Sequence, residues 1–181
     1  IHRDSGEESR SVRLLEKELE LANQTGKSFY LVMDAFFSVW PVIQTAMKSN
    51  GSVYVFTRAK KNVTAYEVFE QSRKKNRGKP KKYWRKRKLI CLFDMKSSVF
   101  EYTKVQIYQK VETIRFMTLY LMWKPVKDKV RFFLVEISKG RIMLMTTDKS
   151  LRAEDAIHMY CAKTNIETAF NIFKNLDSVF N

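Results

Sequence analysis

Residues 29–58 read FYLVMDAFFSVWPVIQTAMKSNGSVYVFTR, and they hold the pattern that decides the fold. The two short apolar runs in this stretch, Phe29–Met33 and Val53–Phe56, predict strands that are buried on both faces. The segment between them predicts a helix, because Pro41 suits a first helical turn and an Asn-Gly pair suits a helix end. A strand, a helix and a second strand therefore follow one another within thirty residues.

A further helix is predicted ahead of this stretch. Apolar residues recur at helical spacing over residues 12–22, whereas residues 1–11 are polar and predict a loop. The order helix, strand, helix, strand is typical of an α/β sheet. Asp34 and Arg58 each follow one of the strands, and α/β sheets bind their ligands at the carboxyl ends of strands. We therefore expect these two side chains at a ligand site.

Downstream of residue 88 the chain becomes rich in β-branched and aromatic residues. This composition, with turn residues at Asp128 and Gly140, predicts a series of strands. The predicted strands are Leu89–Phe93, Lys104–Val111, Ile114–Trp123, Val130–Ile137 and Arg141–Thr147. The chain thus reads as a β-rich segment set inside an α/β frame.

Residues 73–88 form a strongly basic arm, in which eleven of sixteen residues are Lys or Arg and none is acidic. Tyr83 and Trp84 interrupt the basic residues, and such interleaving suits phosphate contact combined with base stacking. The predicted phosphate contacts are Arg85, Lys86, Arg87 and Lys88. The alternative interpretation is a solvated basic loop or hairpin without a ligand.

The charge of the whole chain points to an anionic partner. Its 181 residues contain 34 Lys and Arg against 19 Asp and Glu, which gives a formal net charge of +15. Such a field favours nucleic acid, with an anionic membrane surface as the weaker option because the basic run lacks an amphipathic helical pattern. The two cysteines stand apart, which fits a reducing cytoplasm, and no apolar run reaches the roughly 18 residues of a membrane-spanning helix.

A last helix is predicted near the C-terminus. Its spacing places Tyr160, Lys163, Glu167 and Lys174 on one face, while apolar residues occupy another. This polar face can hold a metal ion through Glu167 and phosphates through its cations. The alternative is an amphipathic helix with a solvated charged side.

Asp34 and Glu167 are the carboxylates that we expect to act together. Magnesium prefers oxygen ligands, and carboxylates brought together by the fold can hold it for phosphodiester chemistry. On spacing alone, Asp34 is equally compatible with a helix cap or a turn. Asp94 is interpreted as a surface residue and Asp148 as a turn residue ahead of the last helix.

The spacing Tyr160-x2-Lys163-x3-Glu167-x6-Lys174 resembles the Y-x2-R-x3-E-x6-K signature of bacterial insertion-sequence transposases with a DDE triad (the insertion-sequence-four-like group), with lysine in place of arginine. Residues 31–37 look like the strand that bears the second catalytic aspartate of that family. Residues 55–62 and 143–151 are similar to the next strand and to the stretch before the signature helix.

The resemblance implies an RNase H-like, retroviral-integrase-like core that is interrupted by a β-strand-rich insertion. Residues 1–62 would be the first part of the core, residues 63–140 the basic arm and insertion, and residues 141–181 the last strand and signature helix. It also implies Mg²⁺ or Mn²⁺ as cofactor, double-stranded DNA as partner, a homodimer that joins two transposon ends, and the bacterial cytoplasm and nucleoid as location.

Carried over by position, Asp34 and Glu167 would be catalytic metal ligands. Tyr160, Lys163 and Lys174 would contact phosphates, although a lysine at position 163 lacks the two-pronged grip of arginine. The first aspartate of the triad is expected outside this chain, so that the fragment by itself is expected to be inactive. The alternative function is a non-catalytic basic nucleic-acid-binding module derived from a transposase.

Overall fold

A computed structural model of the chain describes residues 5–68, 83–107, 110–138 and 140–163. Two helices, α1 (Ser5–Thr25) and α2 (Trp40–Lys48), lie in the first third of the chain, and residues 153–163 form a helix that we call α3. Three 3-10 turns are η1 (Ala35–Phe37), η2 (Leu89–Asp94) and η3 (Ser97–Val99). The strands are β1 (Phe29–Met33), β2 (Val53–Arg58), β3 (Thr64–Val68), β4 (Tyr83–Lys88), β5 (Glu101–Ile107), β6 (Lys110–Trp123), β7 (Asp128–Ile137) and β8 (Gly140–Thr146).

The strands form one eight-stranded sheet, in which seven lie in the order β1-β2-β8-β7-β6-β3-β4 and β5 pairs with β6 beside that path. β1 and β2 are parallel, as two strands joined by a helix should be. All the other pairings among the described strands are antiparallel. The fold is therefore mixed α/β with a core that consists mostly of sheet.

The two faces of the sheet bury separate sets of apolar side chains, as the two-residue period of a strand requires. One face, here called the first face, is covered by α1 and α2, with Leu15 and Ile43 fully buried. Its other end is covered by η2, whose Leu89 and Phe93 belong to the same core. The opposite, second face is covered by α3, through side chains such as Ile157.

The prediction that β1 is buried on both faces was wrong. β1 lies at one end of the strand order, and among its five residues only Met33 is buried, while Tyr30 is 40% exposed. β2, by contrast, lies between β1 and β8 and buries four of its six residues. A continuous apolar run therefore marked both strands correctly but did not distinguish an outer strand from an inner one.

Three local predictions also needed correction, and one strand was missed. Residues 5–11 are helical rather than a loop, because α1 begins at Ser5 and continues without a break into the turns that bury Leu15, so the helix extends beyond its apolar stripe. Leu89–Phe93 lies within η2 rather than in a strand, and the 3-10 turn buries Leu89, Leu92 and Phe93. β3 was not predicted, and β6 runs unbroken through residues 112 and 113, whose backbones pair with β5.

Candidate functional site

Asp34 ends β1 and is held by its own backbone turn. Its extended backbone lets its Oδ1 accept a hydrogen bond of 2.7 Å from the N–H of Ala35, the first residue of η1. The side chain of Asp34 remains 64% exposed. Asp34 is therefore a 3-10 cap, as the alternative interpretation expected, and at the same time a solvent-facing carboxylate.

The ends of β1 and β2 are joined directly. Met33 pairs with Thr57 in the parallel register, and the Thr57 hydroxyl donates a hydrogen bond of 2.9 Å to the carbonyl oxygen of Asp34. Thr57 is fully buried, so this hydrogen bond fixes where β1 ends. Arg58 follows Thr57, and the structure places Asp34 and Arg58 at the same edge of the sheet.

α3 brings a cation to this edge. The Nζ atom of Lys163 lies 3.8 Å from Oδ1 of Asp34, and the Lys163 side chain is only 20% exposed. Tyr160, one turn earlier, packs partly buried against the core of the second face. The first two residues of the predicted signature thus lie on the helix that reaches Asp34, and Lys163 is adjacent to that carboxylate.

The carboxylate expected to act with Asp34 cannot be placed. Glu167 and Lys174 lie outside the described residues. Within the described ranges, no three His, Cys, Asp or Glu side chains are grouped so that they could hold a metal ion. These ranges therefore supply one of the two predicted metal ligands, and by themselves they do not form a metal site.

The basic arm is far from Asp34 in the strand order. Its last residues form β4, at the opposite end of that order from β1, while the arm's residues before Tyr83 lie outside the described ranges. Arg85, Lys86 and Lys88 are exposed. Arg87 instead forms an ion pair of 2.6 Å with Glu67 on β3, which partly neutralises it.

The competing carboxylates lie elsewhere, as expected. Asp94 is 69% exposed and pairs with Arg141 at 2.8 Å. Asp148 is buried after β8, where its Oδ1 accepts hydrogen bonds from the backbone N–H of Ser150 (2.7 Å) and from its hydroxyl (2.6 Å). Its Oδ2 accepts one from the Tyr30 hydroxyl, near the start of β1 and so at the other end of that strand from Asp34.

The Asp148 carboxylate and the Tyr30 phenol shift each other's ionisation. Burial by itself raises the pKa of Asp148, but the hydrogen bonds from Ser150 and Tyr30 outweigh burial, so this pKa lies below its ordinary value. Burial, and then the hydrogen bond to Asp148, raise the pKa of Tyr30. This hydrogen-bonded pair therefore holds β1 to the turn after β8 and has a structural role.

Two exposed aromatic side chains that the sequence prediction did not include follow Asp34 in the chain. Phe36, in η1, is 61% exposed, and Trp40, at the start of α2, is 50% exposed. Helical periodicity could have indicated that Trp40 is exposed, because Val42, Ile43 and Ala46 form the buried stripe of α2 and Trp40 lies outside it.

Comparison with known proteins gives no family: no family model, curated protein or solved structure matches this chain. None of the helices in the described ranges has the length and apolar character that crossing a bilayer requires.

Proposed function

We propose that this chain is part of the catalytic domain of a DNA transposase of the DDE type. The observation that carries the proposal is the 3.8 Å approach of Lys163 to Asp34. These residues come from two stretches, the strand with its aspartate and the signature helix, which the resemblance implies should meet. If the two stretches resembled the family only by chance, they would not be expected to lie next to each other in the fold.

The order of the elements also supports the proposal. The segment α1-β1-α2-β2 supplies a helix and strand alternation with two parallel strands, as an RNase H-like core requires. Five described strands, β3 to β7, stand between β2 and β8, the strand that the resemblance assigns to the core ahead of the signature helix. A β-rich insertion between the second aspartate and the glutamate of the triad has the same position in the chain.

The proposed chemistry is cleavage and joining of phosphodiester bonds at transposon ends. Bound Mg²⁺ or Mn²⁺ would activate the attacking oxygen and stabilise the leaving one, with Asp34 and Glu167 as its protein ligands. Lys163 and Tyr160 would position phosphates near the cleaved bond, together with Lys174 and Arg58. The partners would be double-stranded DNA and a second copy of the protein, in the bacterial cytoplasm and nucleoid.

The test is metal-dependent nicking of transposon-end DNA by the intact gene product. We expect Asp34→Asn and Glu167→Ala each to abolish nicking in Mg²⁺ and in Mn²⁺, while DNA binding persists. The matched control is Asp94→Asn, because Asp94 is a similarly exposed carboxylate whose cationic partner is Arg141 rather than Lys163. Full nicking by the Glu167→Ala protein would refute the proposal.

A second candidate function is a non-catalytic DNA-binding module. The exposed Arg85, Lys86 and Lys88 on β4 favour it, since they need no carboxylate to bind phosphates. This function predicts DNA binding that depends on neither metal nor Glu167, together with no nicking by the intact gene product. A gel-shift titration with and without EDTA, run beside the nicking assay, separates the two functions.

A further inference from the structure

Thr57 is a polar residue inside the apolar stretch of β2. Its neighbours Val53, Val55 and Phe56 are buried, and Thr57 itself is fully buried as well. A buried hydroxyl without a hydrogen bond costs free energy, whereas valine would fill the same space without that cost. The partner of this hydroxyl therefore indicates what Thr57 contributes.

The Thr57 hydroxyl holds the peptide group that follows Asp34. It donates to the carbonyl oxygen of Asp34 at 2.9 Å, while a second acceptor, the carbonyl oxygen of Arg58, is farther away at 3.3 Å. The N–H of the same peptide group, which belongs to Ala35, donates at 2.7 Å to Oδ1 of Asp34. One peptide group thus connects the buried hydroxyl to the carboxylate.

A peptide group transmits orientation because it is planar. Its C=O and N–H are fixed relative to each other by the partial double bond between carbon and nitrogen. Since Thr57 sets the direction of the C=O, it also sets the direction of the N–H that holds Oδ1 of Asp34. The next peptide group is anchored too, because the N–H and the hydroxyl of the buried Ser38 both donate to the carbonyl oxygen of Ala35.

The oxygen that these hydrogen bonds hold is the one that Lys163 approaches. The Nζ atom of Lys163 lies 3.8 Å from Oδ1 of Asp34, the same atom that accepts the hydrogen bond from Ala35. Because Asp34 is 64% exposed, packing restrains its carboxylate only weakly, and the hydrogen bonds decide its direction. The geometry of this contact therefore depends on the peptide group behind it.

We infer that Thr57 is a positioning residue, which orients the carboxylate of Asp34 through the peptide group between Asp34 and Ala35. This inference rests on the proposed function, in which Asp34 takes part in DNA cleavage, and adds to it a buried residue that acts through Asp34. Side chains at a reaction centre must be held close to their productive geometry, and residues behind them supply that restraint.

The direction of the Asp34 carboxylate can be measured without DNA. A water-soluble carbodiimide joins a carboxylate to an adjacent lysine amine as an amide, with the carbodiimide taking up the elements of water. Mass spectrometry of the digested 181-residue chain then gives the yield of the link between Asp34 and Lys163. The link between Asp128 and Lys149, whose charged atoms are 3.9 Å apart, is the internal reference. Both links should form in the unmodified chain.

Thr57→Val removes the hydroxyl and keeps the shape of the side chain. It should lower the yield of the Asp34–Lys163 link about threefold, the population change expected for the loss of one hydrogen bond, and leave the reference link unchanged. Thr57→Ser keeps the hydroxyl and should retain the link. Nicking of transposon-end DNA by the intact gene product should fall with Thr57→Val and should be retained with Thr57→Ser.

Thr147→Val is the matched control. Thr147 is also buried, and its hydroxyl accepts a hydrogen bond of 3.0 Å from the N–H of Val55, so this variant removes a comparable hydrogen bond to β2. The yield of its Asp34–Lys163 link should equal that of the unmodified chain.

Ala35→Pro provides a second variant if Thr57→Val does not fold. It removes the N–H that holds Oδ1 of Asp34 and leaves Thr57 in place. Asp34 has an extended backbone and Ala35 is the first residue of η1, and both positions are compatible with a proline at residue 35. This variant should lower the link as Thr57→Val does, and an unchanged link would overturn the inference.

The outcomes distinguish positioning from a purely structural role. The inference is overturned if Thr57→Val leaves the Asp34–Lys163 link unchanged, or if it lowers this link and the reference link equally. Equal losses in Thr57→Val and Thr57→Ser also overturn it, because the hydroxyl would then not be the requirement. So does undiminished nicking by the intact Thr57→Val protein. If the unmodified intact protein does not nick, it is the proposed function that fails, and the links still confirm or overturn the orientation of Asp34 by Thr57.

Discussion

The ammonium group of Lys163 lies 3.8 Å from the carboxylate of Asp34, although the two residues come from opposite ends of the described chain. The pair is asymmetric, since Lys163 is mostly buried while Asp34 is 64% exposed. An ion pair with one solvated partner contributes little to stability, typically about 0–1 kcal/mol. The ion pair is informative because it shows that the polar residues at the end of α3 lie next to Asp34.

Replacing Lys163 should change DNA binding much more than folding. Lys163→Ala is expected to lower the free energy of unfolding by less than about 1 kcal/mol, because the ion pair is half solvated. The slope of log affinity against log salt should fall by about 0.9, the value for one lost phosphate contact on duplex DNA. Lys163→Arg should keep that slope, and urea unfolding with a salt titration of DNA binding measures both effects.

The four basic residues of β4 should not contribute equally to DNA binding. Arg87 is paired with Glu67, whereas Arg85, two residues earlier on β4, is exposed. Arg85→Gln should therefore lower DNA affinity more than Arg87→Gln does. Glu67→Gln releases Arg87 and should raise the affinity at low salt. Equal effects of the two arginine substitutions would show that the ion pair does not restrain Arg87.

Asp148→Asn should destabilise the fold in a pH-dependent manner. The carboxylate is buried and accepts hydrogen bonds from Ser150 and Tyr30, so weakening them should cost about 1–3 kcal/mol near neutral pH. Because the pKa of Asp148 in the fold lies below its ordinary 3.8, this stabilisation is present above pH 3.8 and is lost as the pH falls through the lowered pKa. Unfolding in urea at pH 7 and pH 3 checks the prediction.

The control for Asp148→Asn is Asp128→Asn. Asp128 lies nearby but is about half exposed, and its contact with Lys149 is 3.9 Å. Its replacement should change the stability by less than about 1 kcal/mol at either pH. The assignment of a lowered pKa would be contradicted if Asp148→Asn lowered the free energy of unfolding by the same amount at pH 7 and at pH 3.

Truncating Ile157 should detach α3 from the sheet. Ile157 is 1% exposed in the core of the second face, so Ile157→Ala is expected to cost about 2–5 kcal/mol in unfolding free energy. His158, the next residue, is exposed, and His158→Ala should be nearly neutral. Thermal unfolding compares the two variants. DNA affinity should fall with Ile157→Ala at temperatures where the rest of the sheet remains folded, because Lys163 depends on this packing.

Much of the local structure could be predicted from the sequence. The bounds of β1 match the apolar run, α2 begins with Pro41 in its first turn, and β7 and β8 lie close to their predicted positions. Short-range preferences decide such features. The strand predicted at Leu89–Phe93 was wrong because short-range preferences do not resolve this case. A short apolar run fits a buried strand and a buried 3-10 turn equally well.

For the candidate site, the sequence determined which side chains are available and where along the chain they lie. It placed Asp34 and Arg58 after two strands, and the parallel register of β1 and β2 sets those strand ends side by side. The tertiary structure alone decided that β1 is an outer strand and that β4 lies at the far end of the strand order, and it shows the contact of Lys163 with Asp34, which local sequence pattern did not predict and only the resemblance implied. These relationships depend on which remote strands pair and which sheet face a helix covers, and the pattern of neighbouring residues does not contain that information.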